Sequence, residues 1–379
     1  MITRLYVRNF KAFDSVDFVD LPRFLCLIGV NGSGKTTFIQ LLTFVRALVR
    51  GEVDNWRIGD RQCETKALAF AGSLRRNFEL LVEFVPDGER EKCIWTMTYN
   101  LYDGQLIREN LTVEGESVSL ISFESGVLKI NGEESKLALV PKGAALSLPI
   151  KDDRIDRMRH ALSDFVGVGV LDPVAISDPA RPSRGQLQVE ENGHRLAAFV
   201  SQLTAEQQAE YTRTICEFYG DFETIGIKGS KFGWKRLVFT ELKKSIDALH
   251  MSYGTLRFMV LAALKYCSAS LLYFDEVDNG INQEYLGRVV ALLRSFCDKQ
   301  VVVTTHNVQF LNNLSDDELR RGVFFFYKDK QHRTRVKRFF DIDGMSNALD
   351  VDAAGSIVSM TDLVKLGDRL VEAEPEVSR

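Results

Sequence analysis

The sequence lacks any sustained apolar run. Nowhere in its 379 residues do roughly 18 uncharged apolar residues follow one another, as a membrane span requires. It has almost no excess of charge. Its 48 Lys and Arg stand against 52 Asp and Glu, a net charge of -4, which excludes a blanket nucleic-acid binder and confines any such binding to a local patch. Its six cysteines, at positions 26, 63, 93, 216, 267 and 297, are scattered singly with no CxxC pair. Neither a disulfide framework nor a zinc framework is expected from them. The opening MITRLYVRNFKAF lacks the charged-then-apolar organisation of a signal peptide, so the expectation is a reduced, cytoplasmic protein with no membrane partner. Low-complexity stretches and internal repeats of convincing period are missing too.

What is there is the composition of an ordinary globular protein, 26% charged and 45% hydrophobic. The length allows roughly two to three domains of about 150 residues each. Residues 1–22 read as two short strands around a turn. The run Phe24-Leu25-Cys26-Leu27-Ile28 then predicts a strand buried on both faces. Apolar residues at Phe38, Leu41, Leu42, Val45, Leu48 and Val49 keep the spacing of an amphipathic helix, and Gly51 is its natural stop. From 76 to 135 the period changes to two: Phe78, Leu80, Val82 and Phe84, then Trp95, Met97, Tyr99 and Leu101, with Asp87-Gly88, Asp103-Gly104 and Asn131-Gly132 as turns. That is an antiparallel meander. Stretches 150–172 and 195–218 read as helices of about 30 Å, with Pro173, Pro179 and Pro182 marking the loop between them. Beyond 236, helix and strand alternate. A helix follows Gly254, a strand is expected at Leu271-Leu272-Tyr273-Phe274, a helix at roughly 283–297, and a strand at Val301–Thr305. A hairpin near 323–340 closes the series. Such alternation implies a mainly parallel sheet.

Two motifs carry chemistry. Gly29-Val30-Asn31-Gly32-Ser33-Gly34-Lys35-Thr36 matches the full phosphate-loop pattern between an apolar strand and an amphipathic helix. Glycines let successive N–H groups curl around phosphate oxygens, and the helix start adds partial positive charge. Lys35 is expected to reach the β- and γ-phosphates of ATP and the Thr36 hydroxyl to ligate Mg²⁺. Thr37 belongs to the same nucleotide-binding set. At the end of the strand 271–274, Asp275 and Glu276 stand where ligands sit in open α/β sheets. Asp275 is expected to hold Mg²⁺, directly or through water, and Glu276 to polarise the attacking water as general base.

Further pieces narrow the class. Ser252-Tyr253-Gly254-Thr255 opens a helix 23 residues before Asp275, and a Ser with a Gly at a helix start forms a second anion site. His306 follows a strand 31 residues after Asp275, beside the two carboxylates. The order of phosphate loop, Ser-x-Gly-Thr, apolar strand with Asp-Glu, and strand with Thr-His resembles the ABC-type ATPases of the SMC and RecF-like branch. More narrowly it resembles the AAA family of compact ABC ATPases of bacterial anti-phage defence and overcoming-lysogenisation-like proteins. Val7–Phe13 is similar to the branch's N-terminal strand motif, and Lys11 within it joins the nucleotide-binding residues. Ile107–Leu111 and Asn192–Leu196 also look like that subfamily.

The resemblance implies an α/β head: a mainly parallel core sheet, an antiparallel β-meander and a short helical insert. It implies a lobe over 1–148, an insert or short arm over 149–230, and a second lobe over 231–379. Two heads close on two ATP molecules, with Ser252 and Gly254 acting in trans on a γ-phosphate and His306 contacting it in cis. Tyr253 replaces the small residue of the transporter signature, and Asn282 stands where a closing Asp is common. The Q-loop glutamine is not assignable; Gln62 and Gln186 are both candidates. The expected partners are a second copy and an effector such as a nuclease, with DNA or a phage protein as further possibilities. A RecF-like repair ATPase acting on DNA directly is the alternative. Basic residues Lys328, Lys330, Arg333, Arg335 and Lys337, and Lys228, Lys231, Lys235 and Arg236 around Phe232 and Trp234, are either solvated segments or phosphate-contacting surfaces. The DxD pairs Asp341/Asp343 and Asp350/Asp352 read as an acidic surface tail, so no nuclease activity is expected of this chain.

Overall fold

A computed structural model describes residues 1–57, 65–135, 141, 143–169, 171–182, 189, 192–220, 223–229, 233–241 and 243–373. The chain divides into two compact units. One is Met1–Phe165 with Asp316–Asp352 and Ile357–Arg379; the other is Val166–Ser315 with Ala353–Ser356. In chain order the strands are β1 (Ile2–Phe10), β2 (Phe13–Phe18), β3 (Phe24–Gly29), β4 (Asn77–Phe84), β5 (Cys93–Asn100), β6 (Gln105–Val113), β7 (Ile121–Glu124), β8 (Val127–Ile130) and β9 (Glu133–Glu134). They continue as β10 (Phe165–Val168), β11 (Thr224–Gly229), β12 (Lys235–Glu241), β13 (Lys244–Asp247), β14 (Leu271–Phe274), β15 (Gln300–Thr304), β16 (Val323–Lys328) and β17 (Thr334–Arg338).

In the first unit the meander expected from the period-two pattern joins the N-terminal strands. The result is one antiparallel sheet in the order β2-β1-β4-β5-β6-β7-β8-β9. Register places Leu80 opposite both Val7 and Met97, and Val82 opposite both Leu5 and Trp95, so alternate residues line one buried face. The helix Lys35–Arg50 lies against that face. Eleven of its 16 residues are buried, more than one amphipathic stripe supplies, because it is covered from two sides. Phe44 stacks on Phe10 at 5.4 Å and meets Phe78 edge-on at 5.5 Å. Phe38 meets Phe18 at 4.7 Å and Phe326 at 6.3 Å. Phe326 belongs to the other layer, where β3 and β16 pair in parallel and β16 pairs antiparallel with β17. Gly51, at φ 69°, ends the helix as expected. Inside this unit Glu109 is fully buried. Its carboxylate accepts hydrogen bonds from Trp95 Nε1 (2.9 Å), from the Leu146 N–H (3.1 Å) and from the Ala145 N–H.

In the second unit β14 and β15 pair in parallel with every residue buried, as the two apolar runs require. β10 flanks β14. The helix Tyr253–Ala263 is buried along nearly its whole length. The helix Ala205–Tyr219 packs on it, with Phe218 stacked on Phe258 at 3.4 Å between ring centroids and Tyr211 OH donating to the Met259 carbonyl at 3.2 Å.

Four expectations are corrected. The stretch 150–172 is not one helix: the helix Asp153–Ser163 gives way to β10. A Cβ on Gly167 would lie 2.2 Å from the Tyr273 ring, and this bare backbone lets the Phe-Val-Gly-Val segment lie close against β14. The stretch 195–218 splits into Leu196–Val200 and Ala205–Tyr219, because Thr204 and Gln207 form a reciprocal capping box that starts a new helix. Pro173 opens the short helix Pro173–Ser177, capped by Asp172, where a missing N–H costs nothing. The sheet β11-β12-β13 was not expected at all. The segment after 340 is more than a tail, since it folds into Met345–Ala348, Ala354–Met360 and Leu363–Ala373 with Ile357, Val358 and Leu366 buried. Its DxD carboxylates stay at the surface, Asp341 beside Arg338 and Asp350 beside Arg320. Among the described residues no helix is long and apolar enough to cross a membrane.

Candidate functional site

The phosphate loop belongs to the first unit and joins β3 to the helix Lys35–Arg50. Gly29, Gly32 and Gly34 have φ of 143°, 76° and 116°, values that favour glycine. Space excludes a side chain at two of them: a Cβ on Gly29 would lie 2.3 Å from the Phe326 carbonyl oxygen, and one on Gly34 would lie 2.7 Å from Thr334 Oγ1. A Cβ on Gly32 would meet nothing within 4 Å, and the residue is exposed, so its backbone is approachable from outside. Lys35 is 6% exposed, and its Nζ donates to the carbonyls of Gly29 (2.7 Å) and Val30 (3.1 Å). The ammonium therefore sits within the loop. Ser33 Oγ is buried with no hydrogen-bond partner among the described residues. Asn31 and Thr36 are exposed and Thr37 half-buried. Lys11, at φ 48°, reaches the second turn of the same helix and donates from Nζ to Gln40 Oε1 at 2.8 Å. An open glycine backbone, an orphaned hydroxyl and an enclosed ammonium suit a phosphate chain.

The loop also has a brace that sequence reading missed. Thr334 Oγ1 on β17 donates to the Ser33 carbonyl at 2.8 Å and accepts from Lys328 Nζ at 3.0 Å. Burial pushes the Lys328 ammonium below its usual pKa. Two arginines of the basic hairpin are committed elsewhere. Arg333 and Arg335 both donate from Nε to Asp329 Oδ2, at 2.7 and 3.2 Å, and Arg333 lies 3.7 Å from Asp14. In the second unit Arg236 pairs with Asp247 at 2.9 Å, Lys228 donates to Ser245 Oγ at 3.1 Å, and Arg181 covers the Trp234 ring at 4.9 Å. Lys231 and Phe232, like Gln62 and Gln186, lie outside the described residues.

The second unit brings together Asp275, Glu276 and His306. β14 ends by releasing the two carboxylates beside the end of β15. Glu276 Oε1 lies 4.0 Å from His306 Nε2, and Glu276 Oε2 accepts from Asn279 Nδ2 at 3.2 Å. Glu276 adopts φ 49°, a left-handed conformation that costs a non-glycine residue roughly 1–2 kcal/mol. Fully buried Thr304 holds this turn. Its Oγ1 donates to Asp275 Oδ1 at 2.6 Å and accepts from the Glu276 N–H at 2.7 Å. From the opposite side comes Arg257, 1% exposed. Its Nη2 donates to the carbonyls of Asp275 (2.8 Å) and Glu276 (2.7 Å), and its Nε to that of Val277 (3.2 Å). Burial draws the guanidinium pKa below its ordinary value, a cost that carbonyl acceptors offset.

Arg257 lies one turn into the helix opened by Ser252 and Gly254. Ser252 Oγ accepts from the Thr255 N–H at 3.2 Å and caps that helix. A Cβ on Gly254 would lie 2.3 Å from the Gly280 carbonyl oxygen, so this glycine is needed for the close approach of segment 278–282. No cluster of three or more His, Cys, Asp or Glu able to hold a metal occurs among the described residues.

The model of the family described as "AAA domain, putative AbiEii toxin, Type IV TA system" matches residues 121–312. That span includes Ser252, Gly254, Asp275, Glu276 and His306, while the phosphate loop precedes it. Among solved structures, an SMC head bound to the C-winged helix domain of ScpA is similar at 15% identity and TM-score 0.57, over 89% of this chain and 97% of that one. The SMC head with an extended coiled coil bound to the C-terminal domain of ScpA, from Pyrococcus furiosus, is similar at 13% identity and TM-score 0.53, over 92% and 99%. At these identities the likeness is one of fold, and it agrees with the α/β head expected.

Proposed function

The chain belongs to the AAA domain family whose description names AbiEii toxins and type IV toxin–antitoxin systems, and from that premise we propose that it is an Mg²⁺-dependent ATPase of ABC type. The observation that carries the reading is the grouping of Asp275, Glu276 and His306 at the ends of two parallel strands, with Glu276 Oε1 4.0 Å from His306 Nε2. In this reading Lys35 and the amides of Gly29, Asn31, Gly32, Ser33 and Gly34 bind the phosphates, and Thr37 and Lys11 complete the nucleotide contacts. Thr36 and Asp275 hold the metal, which neutralises phosphate charge when bound. Glu276 accepts the proton of the attacking water, whose oxygen bonds to the γ-phosphorus. The bond to the bridging oxygen breaks, leaving ADP and phosphate. His306 contacts the γ-phosphate in cis, and Ser252 and Gly254 contact that of a second copy.

The energy drives a switch that controls an effector, a nuclease in anti-phage defence. Support comes from the family description and from the ScpA domains bound to the SMC heads of similar fold. Direct action on DNA is less favoured, because Arg333 and Arg335 serve Asp329. The test compares nucleotide binding and phosphate release. Lys35→Ala loses binding, whereas Glu276→Gln keeps binding and loses turnover by about 100-fold or more, on the scale of removing a general base. Wild-type turnover by Glu276→Gln overturns the assignment.

A further inference from the structure

One turn of backbone, 275–277, is gripped from both sides by side chains that no motif assigns. On one side the Thr304 hydroxyl accepts from the Glu276 N–H and donates a hydrogen bond to the Asp275 carboxylate. On the other, the Arg257 guanidinium takes the carbonyls of Asp275, Glu276 and Val277. Between them Glu276 is held at φ 49°, a conformation that persists only where its surroundings over-determine it. Neither side chain points at solvent: Thr304 is 0% and Arg257 1% exposed. A buried arginine is an expensive way to satisfy carbonyls, and it ties the helix opened by Ser252 to the residues bearing the carboxylates. Arg257 Nη1 also donates to Tyr253 OH at 3.4 Å, inside the Ser-Tyr-Gly-Thr motif itself.

We propose that Thr304 and Arg257 are positioning residues that hold the Glu276 carboxylate in its working direction, Arg257 making the signature helix and the general base move as one piece. The inference rests on the ATPase reading and deepens it. A displacement of about 1 Å in a catalytic group lowers a rate by about 100-fold, while the phosphate loop, to which the reading gives most of the nucleotide contacts, is left as it is. When a phosphate engages Ser252 and Gly254, Arg257 transmits the helix's position to Glu276.

The experiment measures kcat and KM for ATP, with a thermal melt of each variant. Thr304→Val is isosteric and suited to a strand, but lacks the hydroxyl; it lowers kcat about 10- to 100-fold with KM within about twofold. Thr304→Ser restores most of the rate. Arg257→Met behaves like Thr304→Val, and Arg257→Lys, which keeps the charge but not the three-carbonyl fork, is intermediate. If Arg257→Met fails to fold, Thr304→Val and Arg257→Lys decide. Added to Glu276→Gln, Thr304→Val causes no further loss in the residual rate. Wild-type kcat in Thr304→Val and Arg257→Lys overturns the inference. So does a rise in KM alone, or a loss that multiplies onto Glu276→Gln. No turnover in the wild type, or full turnover in Glu276→Gln, overturns the ATPase reading and the inference with it.

Discussion

Glu109 on β6 has its two carboxylate oxygens aimed at three N–H groups, from Trp95, Ala145 and Leu146. Burial pushes its carboxyl up to about 7, while those donors pull it back toward the charged form. A carboxyl raised in the folded state binds more protons there than in the unfolded chain. Its contribution is therefore complete below the ordinary value of 4.5 and is lost as pH rises through about 7. Over that window stability falls by about 3 kcal/mol at most. Glu109→Gln removes this pH dependence and turns an amide NH₂ toward an N–H donor. It costs about 1–3 kcal/mol, so urea midpoints at pH 5 and pH 8 differ less in the variant than in the wild type. The same scale shows what sequence reading reaches. Lys35, Asp275, Glu276 and His306 stand out because their motifs are contiguous or end an apolar strand. Arg257, Thr304 and Thr334 do not, since the bonds that tie them to Asp275 and to the Ser33 carbonyl span 18, 29 and 301 residues of chain.

At the scale of elements, the helix Lys35–Arg50 and the meander were legible because their apolar periods are long and uninterrupted. β10 was not. Four residues containing a glycine carry no period, and only the pairing with β14, where Gly167 leaves room for the Tyr273 ring, explains why they are extended. The break before Ala205 is written in the capping box of Thr204 and Gln207, a local signal that the apolar pattern on either side obscures. Gln207 N–H donates to Thr204 Oγ1 at 3.2 Å, and Thr204 N–H donates to Gln207 Oε1 at 3.0 Å. Thr204→Ala lowers stability by about 1 kcal/mol, read as a shift in the denaturation midpoint with unchanged slope. Within the first unit, Phe44→Ala leaves a cavity among Phe10, Phe78 and Trp56. It costs about 3–5 kcal/mol in the same measurement.

At the scale of the molecule, the chain returns to its first unit after residue 315. That return supplies β16 and β17, and with them Phe326 and Thr334 at the phosphate loop. The ATPase reading makes a prediction about the whole assembly. Glu276→Gln with ATP and Mg²⁺ doubles in mass in light scattering, and Ser252→Arg, still binding ATP, stays at the mass of the nucleotide-free protein. A single mass for Glu276→Gln with and without ATP removes the two-headed arrangement. The near-balance of 48 basic and 52 acidic residues excluded a generally basic surface from the start. Sequence alone determined the phosphate loop, the Asp-Glu strand end and the meander, because each is encoded by neighbours within a few residues. Only the tertiary structure decided that Arg333 and Arg335 serve Asp329, that Thr334 braces the loop, and that Arg257 and Thr304 grip Glu276. The Asp329 pairs span four and six residues of one hairpin, and its turn brings them together. The bonds of Thr334, Arg257 and Thr304 join distant stretches of chain and form only after apolar burial has brought their two sides together.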